Sequence, residues 1–217
     1  MNEKLKEYWD NKFITKGMIW GTEPSPITEK AIETFHKYEC ETICDLGCGY
    51  GRDSFPLARA GLDVIGLDLS PAAIGMGHER AIKENVSIDF RLIENLPVLA
   101  EPIHGIFCSN LLQLLNKAER SQLISWVFNT LDFEGIFCGM FLSSNDKQEY
   151  GKGTKTAPDT FASDKDGRVM YFYPEYGVIH DFHDFLIRSL EEIPYTENFA
   201  DGTVHHHTMW SITCQKY

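Results

Sequence analysis

The chain has 217 residues, of which 43% are hydrophobic, so it is long enough for one domain with a sizeable core. Its formal net charge of -12 and its pI near 5.1 disfavour binding to phosphate backbones or to an anionic membrane surface. No stretch approaches the roughly 18 uninterrupted apolar residues of a membrane span, and the charged opening lacks the apolar core of a signal peptide. The sequence therefore predicts a cytoplasmic protein that binds neither nucleic acid nor membrane.

The first forty residues carry a helical pattern and no strand. We expect residues 1–40 to form a helical N-terminal cap on a main domain over 41–217, within one structural unit. Aromatic side chains, Trp9 and Trp20 among them, concentrate in this segment before a proline-rich turn. Such a segment either anchors a helix to the core or folds over a ligand, and the two roles are compatible.

From residue 41 onward, short apolar strands alternate with helical patterns, which is typical of right-handed βαβ units and a mainly parallel sheet. The predicted strands cover 42–46, 63–68, 87–92, 105–110 and 135–143, and the predicted helices cover 52–61, 70–85 and 116–132. Ser70 followed by Pro71 is a clear helix start, since serine caps the N-terminus and proline suits the first helical position.

Residues 143–166 are polar and rich in Gly, Lys, Asp and Ser, a composition that predicts a long mobile loop suited to act as a lid. After this segment come a strand at 168–173 and an aromatic helical stretch around 181–190. The chain is predicted to end in a strand pair that turns at Asp201-Gly202.

The six cysteines include no C-x-x-C pair and lie mostly in apolar segments. Cys40, Cys44 and Cys48 are spaced four residues apart, which invites an iron-sulfur interpretation, but they span a predicted strand and the turn after it. Free cysteine commonly behaves as a small buried hydrophobe, so we expect reduced thiols in the core.

Three glycines, Gly47, Gly49 and Gly51, directly follow the first predicted strand. Glycines there let the backbone turn tightly and approach a ligand, while the next helix presents unpaired amides. Arg52 stands where a dinucleotide fingerprint needs its third glycine, which weakens pyrophosphate binding. Asp68 ends the second strand, where a carboxylate can accept hydrogen bonds from both ribose hydroxyls. The pattern favours a nucleotide-like cofactor.

The motifs "DLGCGYG" and "GLDLS" resemble those of the class I S-adenosylmethionine (SAM)-dependent methyltransferases, and the resemblance covers about residues 41–142, including "CSNLLQLL". It implies a Rossmann-like three-layer α/β sandwich, with a mainly parallel seven-stranded sheet whose last strand is antiparallel. It also implies SAM as cofactor and methyltransferase activity. The aromatic N-terminal segment and the histidine-rich final strand look like those of the thiopurine and tellurite-resistance branch.

The resemblance also implies a set of cofactor-binding residues at the strand ends. It assigns Asp45, Gly47, Cys48 and Gly49 to the methionine part of SAM, Asp68 to the ribose, Leu69 to the adenine, Glu94 or Asn95 to the adenine edge, Ser109 and Asn110 to the cofactor's amino acid, and Trp9 and Trp20 to the segment folded over it. The acidic residue that usually follows the third strand is not clearly placed, because "RLIENLP" is shorter than the common form. Independently of the family, Asp45, Asp68 and Ser109 fall at strand carboxyl ends, where open α/β sheets bind ligands.

The last strand contains three consecutive histidines, and strand alternation puts His205 and His207 on one face and His206 on the other. Two facing imidazoles can bind a metal or serve as a base. Because no cysteine or carboxylate stands at ligand spacing beside them, we expect no metal, and a catalytic role in orienting or deprotonating the acceptor. His180 and His183 are expected to face solvent.

Methyl transfer from a sulfonium needs mainly alignment and exclusion of water, with a base only for a protonated acceptor. The expected acceptor is a small soluble molecule such as a thiol or a metalloid oxyanion. The alternatives are an NAD(P)-type nucleotide-dependent oxidoreductase and a non-catalytic SAM-binding protein. The sequence leaves the oligomeric state open.

Overall fold

The computed structural model describes residues 3–199 and 202–217, which form helices on both faces of a central sheet. The strands are β1 (Thr42–Leu46), β2 (Asp63–Asp68), β3 (Asp89–Leu92), β4 (Ile103–Ser109), β5 (Leu131–Leu142), β6 (Thr154–Ala157), β7 (Thr160–Ala162), β8 (Val169–Tyr171), β9 (Leu186–Asn198) and β10 (Val204–Gln215). The helices are α1 (Glu3–Lys16), α2 (Thr28–Lys37), α3 (Ser54–Arg59), α4 (Pro71–Glu84), α5 (Lys117–Thr130) and α6 (Glu175–Asp181), with a 3-10 turn at Leu112–Leu114.

The central sheet has seven strands in the order β3-β2-β1-β4-β5-β10-β9. Neighbours among the first five strands are parallel, whereas β10 runs antiparallel to both β5 and β9. One hydrophobic cluster joins the sheet to α5 and α6, and another joins its opposite face to α2 and α3. The predicted three-layer α/β fold, with its last strand antiparallel, is confirmed.

The site lies at the carboxyl edge of the sheet, where the strand order reverses between β1 and β4. The chain continues from β1 to β2 on one side of β1 and later to β4 on its other side. The connections after β1 and β4 therefore diverge and leave a crevice above the ends of these two strands. The loop after β1, the end of β2 at Asp68 and the end of β4 at Ser109 all reach this edge.

A carboxylate from α1 attaches the N-terminal segment to the start of α4. Ser70 caps α4 as predicted, since its side chain accepts from the backbone N–H of Ala73 at 3.1 Å. Asp10 accepts from the Ser70 hydroxyl at 2.7 Å and from the Ala72 N–H at 2.9 Å. A negative charge is stabilised at a helix N-terminus, so α1 is anchored beside the crevice.

The prediction of a structureless loop over 143–166 is wrong. This segment contains β6 and β7, which pair with β8 in a separate three-stranded antiparallel sheet. Phe161 is buried there, with its ring 5.2 Å from that of Tyr150 and 5.9 Å from that of Phe172. One apolar anchor holds a hairpin whose other residues are polar, so the composition of the segment concealed it.

The predicted helical stretch around 181–190 is also wrong, since only its first residue, Asp181, lies in a helix. Helix α6 ends at Asp181, and β9 begins at Leu186 and pairs with β10 along its length. Pairing with a distant strand overrides the local helical pattern. The predicted final strand pair is confirmed, while Asp201 of the predicted turn lies outside the described residues.

The expectations about the cysteines and about membrane spans can be compared with the structure. All six cysteines are free and buried, as expected for core thiols. Within the described ranges, no helix is long and apolar enough to cross a bilayer.

Candidate active site

The glycine loop after β1 adopts backbone angles that side chains avoid. Gly47, Gly49 and Gly51 have φ values of 76°, 56° and 82°, in the left-handed region that glycine enters without steric cost. The N–H of Gly49 donates to Asp68 Oδ2 at 2.8 Å. This bond joins the glycine loop to the end of β2. It holds the loop in place along one side of the crevice that a ligand would enter.

Asp68 is held by backbone donors from both neighbouring segments. Its Oδ1 accepts from the Ser70 N–H at 2.9 Å while its Oδ2 accepts from Gly49. Burial raises the pKa of Asp68, and the hydrogen bonds from these backbone amides oppose that rise. A carboxylate has about four acceptor positions, so lone pairs remain for a ligand's hydroxyl groups.

Most of the residues predicted to bind the cofactor line one cleft. Those in its lining are Trp9, Trp20, Gly47, Cys48, Gly49, Asp68, Leu69, Ser109 and Asn110. They come from α1, the loop after it, the glycine loop, and the ends of β2 and β4, so the fold gathers residues far apart in sequence.

Three other predicted residues lie away from the lining of this cleft. Asp45 is buried beneath the glycine loop, where it accepts from the Ser54 hydroxyl at 2.5 Å. Burial and the neighbouring Asp53 charge raise the pKa of Asp45 to about 8. Glu94 and Asn95 are exposed, and Asn95 lines a separate pocket beside α5. Next to Glu94 in sequence, the apolar side chain of Ile93 belongs to the lining of the cleft.

Two indole groups close the cleft from the α1 side. The rings of Trp9 and Trp20 lie 5.5 Å apart, and the Phe13 ring lies 5.9 Å from Trp9. Both indole Nε1 atoms are buried and have no hydrogen-bond partner in the described part of the chain. A buried donor without a partner costs free energy, so a polar ligand that accepts from these groups would stabilise the closed cap.

Arg52 is a cleft residue that the motif did not identify as a binding residue. Its buried guanidinium donates to the Tyr195 hydroxyl at 3.2 Å, lies 3.7 Å from Asp53 Oδ2, and sits over the Trp20 ring at 5.7 Å. Among the described lining residues it is the single Lys or Arg, against the two carboxylates Asp53 and Asp68. This balance suits a ligand that has a carboxylate and an excess of positive charge. SAM, with an ammonium, a sulfonium and a carboxylate, has that pattern.

A second cavity, of about 630 Å³, adjoins the cleft and shares Trp20 and Asn110 with it. Its volume is within the usual range for small-molecule sites. One wall comes from β10, with His205 and His207, and another from α1 and the 163–168 turn. The side-chain Oε1 of Gln113 in its lining is buried and lacks a hydrogen-bond partner in the described residues.

His205 and His207 face this cavity together, as strand alternation predicts. Their ring centroids are 5.8 Å apart, and the Phe199 ring bridges between His205, at 5.1 Å, and Trp20, at 6.5 Å. His206 is exposed and does not line the cavity. An aromatic row therefore runs from the cleft to the histidine pair.

His207 lies between two carboxylates. Its Nδ1 is 3.1 Å from Asp146 Oδ2, and its Nε2 is 3.8 Å from Glu197 Oε2. Burial lowers the pKa of His207, but the hydrogen bonds to Asp146 and Glu197 outweigh this and raise the pKa to about 9. A protonated His207 orients or donates to an acceptor and is not itself a base near neutral pH. His180 and His183 are exposed, as predicted.

The wall opposite β10 is rich in cations. Lys12, Lys16, Lys165 and Arg168 line the cavity on the side formed by α1 and the 163–168 turn, together with the carboxylate of Asp166. The Tyr8 hydroxyl of α1 donates to Asp166 Oδ2 at 2.7 Å, which joins α1 to the 163–168 turn beside the cavity.

Comparison with known proteins agrees with this arrangement. Residues 43–135 match the methyltransferase domain family. A protein of Geobacillus sp. (strain WCH70), named as a methyltransferase, is 26% identical over 133 residues, which are 59% of this chain and 53% of that protein. The chain spans about half the length of the curated relatives it matches.

Two solved structures show the same fold over nearly the whole chain. TehB from Haemophilus influenzae aligns with a TM-score of 0.65 at 17% identity and covers 98% of this chain and 67% of that one. The magnesium protoporphyrin IX methyltransferase ChlM of Synechocystis PCC 6803, with bound S-adenosylhomocysteine (SAH), aligns with a TM-score of 0.71 at 16% identity and covers 99% of both chains. The same enzyme was also solved with SAM.

These comparisons confirm the predicted resemblance to the class I SAM-dependent methyltransferases, including TehB. The predicted cofactor class agrees with the SAM and SAH complexes of ChlM. Residues 43–135 therefore match the methyltransferase domain family, in a chain whose fold is that of the class I SAM-dependent methyltransferases.

Proposed function

We propose that the protein is a SAM-dependent methyltransferase that acts on a small soluble acceptor. The observation that carries this proposal is the pair of adjoining cavities that share Trp20 and Asn110. One has the backbone and charge pattern for SAM, and the other has the volume of a small-molecule site. Transfer between two bound molecules requires such neighbouring sites, because catalysis depends on holding donor and acceptor in line.

Different residues of the cleft bind different parts of the cofactor. Gly47 and Gly49 let the backbone approach the methionine part, Asp68 accepts hydrogen bonds from the ribose hydroxyls, and Arg52 pairs with the carboxylate. Trp9 and Trp20 cover the cofactor and exclude water. When bound, SAM supplies an electrophilic methyl group on a positively charged sulfur.

The second cavity favours a small acceptor with an acidic or anionic group. Its lining contains four cations, Lys12, Lys16, Lys165 and Arg168, against the three carboxylates of Glu149, Asp166 and Glu197, in a protein whose net charge is -12. Asn110 and Gln113 supply polar contacts at the cleft side. The Tyr8–Asp166 hydrogen bond joins α1 to the 163–168 turn beside the cavity, whose volume of about 630 Å³ suits a small molecule. Thiols and metalloid oxyanions fit these conditions.

Replacing both His205 and His207 with Ala should lower methyl transfer about 10- to 100-fold, because the acceptor loses polar groups that orient it. The affinity for SAM should change less than about twofold, since neither histidine lines the cofactor cleft. Turnover is measured with methyl-labelled SAM and a panel of thiols, thiopurines, selenite, tellurite, phenols and small amines, with tRNA and a protein extract included.

The double variant His180→Ala/His183→Ala is the matched control, because it removes two exposed histidines outside the cavity. It should retain parental turnover. Preferred methylation of tRNA or protein would contradict the small-acceptor proposal. SAM binding without methylation of any panel member would favour a non-catalytic SAM-binding protein.

A further inference from the structure

The pairing of β9 with β10 brings a carboxylate to the histidine pair. In this antiparallel register His205 lies directly opposite Glu197, and His207 follows two positions along the same face. The sequence suggested no metal because no carboxylate stands beside the histidines at ligand spacing. The missing carboxylate comes from the neighbouring strand, which no local spacing reveals.

The three side chains converge closely enough to share one ion. One ligand atom from each of Glu197, His205 and His207 lies within 4.8 Å of the other two. The distance from His207 Nε2 to Glu197 Oε2 is 3.8 Å. Two ligands that each lie about 2.1 Å from a tetrahedral ion are about 3.4 Å apart, so modest side-chain rotations complete the geometry.

A buried carboxylate behind His207 fixes the orientation of its ring. Asp146 is 1% exposed, and its Oδ2 accepts from the Thr208 N–H at 2.8 Å and contacts His207 Nδ1 at 3.1 Å. Its Oδ1 accepts from the backbone N–H groups of Gln148 and Glu149 at 3.0 Å and 2.7 Å. A carboxylate that holds Nδ1–H leaves Nε2 to face the cavity as a ligand, which is the usual arrangement behind a metal-bound histidine. Since His207 is protonated near neutral pH in the ion-free chain, an ion that binds Nε2 displaces the proton from that atom.

The open side of the cluster faces the acceptor cavity, because Glu197, His205 and His207 all belong to its lining. The opposite wall, with Lys12, Lys165 and Arg168, can hold the remaining negative charge of a molecule bound at the cluster. Three protein ligands with open positions are characteristic of metal sites that bind a substrate.

We propose that Glu197, His205 and His207 bind one divalent first-row transition-metal ion whose open positions face the acceptor cavity. The ion takes the acceptor's nucleophilic oxygen or sulfur as a ligand in place of water. The acceptor's O–H or S–H then loses its proton to solvent at a lower pH than in the free molecule. This role for the ion rests on the proposed methyltransferase function, whereas the existence of the metal site does not.

Metal binding is tested directly on the full chain after treatment with a chelator. Zn²⁺ is titrated by calorimetry, and Co²⁺ is titrated by its visible absorption, which reports the ligand set. We expect one ion per chain. Glu197→Gln and His205→Ala should each weaken binding at least about tenfold, since even the loss of an outer-shell partner of a metal ligand costs about 10- to 100-fold.

His206→Ala is the matched control, because it removes an adjacent imidazole on the opposite face of the same strand and should leave metal affinity unchanged. Thermal unfolding of each variant separates loss of the site from loss of the fold. The proposal is overturned if the folded parent binds no stoichiometric ion, or if Glu197→Gln and His205→Ala bind it as tightly as the parent.

Stabilisation by SAM, measured on the same samples, separates this inference from the proposed function. SAM binding without metal binding would remove the metal site and leave the methyltransferase proposal standing. Metal binding without SAM binding would remove the methyltransferase proposal and leave the metal site standing. Where both bind, turnover in the chelated and the reloaded protein decides the role of the ion: equal turnover would exclude the acceptor as its ligand.

Discussion

Asp68→Ala is expected to weaken SAM binding by about 1 to 3 kcal/mol, which is about 5- to 150-fold, while the protein remains folded. The carboxylate lines the cleft, is held in place by the N–H groups of Gly49 and Ser70, and keeps lone pairs for the ribose hydroxyls. Alanine removes those charged hydrogen bonds and also the bond from the Gly49 N–H, while the bonds from Gly47 and Cys48 N–H to the Leu67 carbonyl still hold the loop to β2. Calorimetric titration with SAM and SAH measures the loss.

Asp63→Ala is the matched control, since Asp63 is exposed at the opposite end of the same strand. It should bind SAM with parental affinity. Parental affinity in Asp68→Ala itself would show that the ribose lies elsewhere and that the motif-based placement of the cofactor is wrong.

Gly49→Val should reduce SAM affinity by more than about 100-fold relative to the parent protein. Gly49 has a φ of 56°, a conformation that is a genuine outlier for a β-branched residue. Its N–H is the donor to Asp68, so a shift of the backbone at this position also disturbs the ribose site. An added Cβ would lie 3.6 Å from the Phe13 ring, and the two further methyl groups of valine would extend into the space between loop and cap.

Gly61→Val separates backbone strain from loss of the site. Gly61 has a φ of 89°, but an added Cβ meets no heavy atom within 4 Å, and the residue is outside the cleft. Both variants should melt at lower temperature than the parent, and only Gly49→Val should lose SAM. If Gly49→Val binds SAM normally, or if both variants lose it equally, the glycine loop is not the contact surface.

The fold was accessible from sequence because its signals are local. Strand β1 is a short apolar run before glycines that need left-handed angles, and Ser70-Pro71 begins α4 by its capping chemistry. The resemblance also led to the cofactor cleft, because Gly47, Gly49 and Asp68 are fixed to the ends of adjacent parallel strands. A sequence motif is sufficient to locate a site where the topology places consecutive strand ends beside one another in space.

The acceptor side was less predictable because its contacts depend on strand register and on tertiary packing. Glu197 reaches His205 only through the register of β9 with β10, and Asp146 reaches His207 from a turn after β5. The hairpin within 143–166 depends on burial of Phe161, which its polar neighbours conceal. Each of these features is decided by tertiary packing, which periodicity and composition do not encode.

The thermal stability of the full chain with SAM, SAH, NAD and NADP distinguishes a SAM-dependent methyltransferase from a nicotinamide-dependent enzyme. A ligand that binds only the native state at 100 times its dissociation constant stabilises it by about 2.7 kcal/mol. We expect a rise in melting temperature with SAM and SAH and none with the nicotinamide cofactors. Stabilisation by NAD or NADP, with none by SAM or SAH, would contradict this expectation and favour a nucleotide-dependent oxidoreductase.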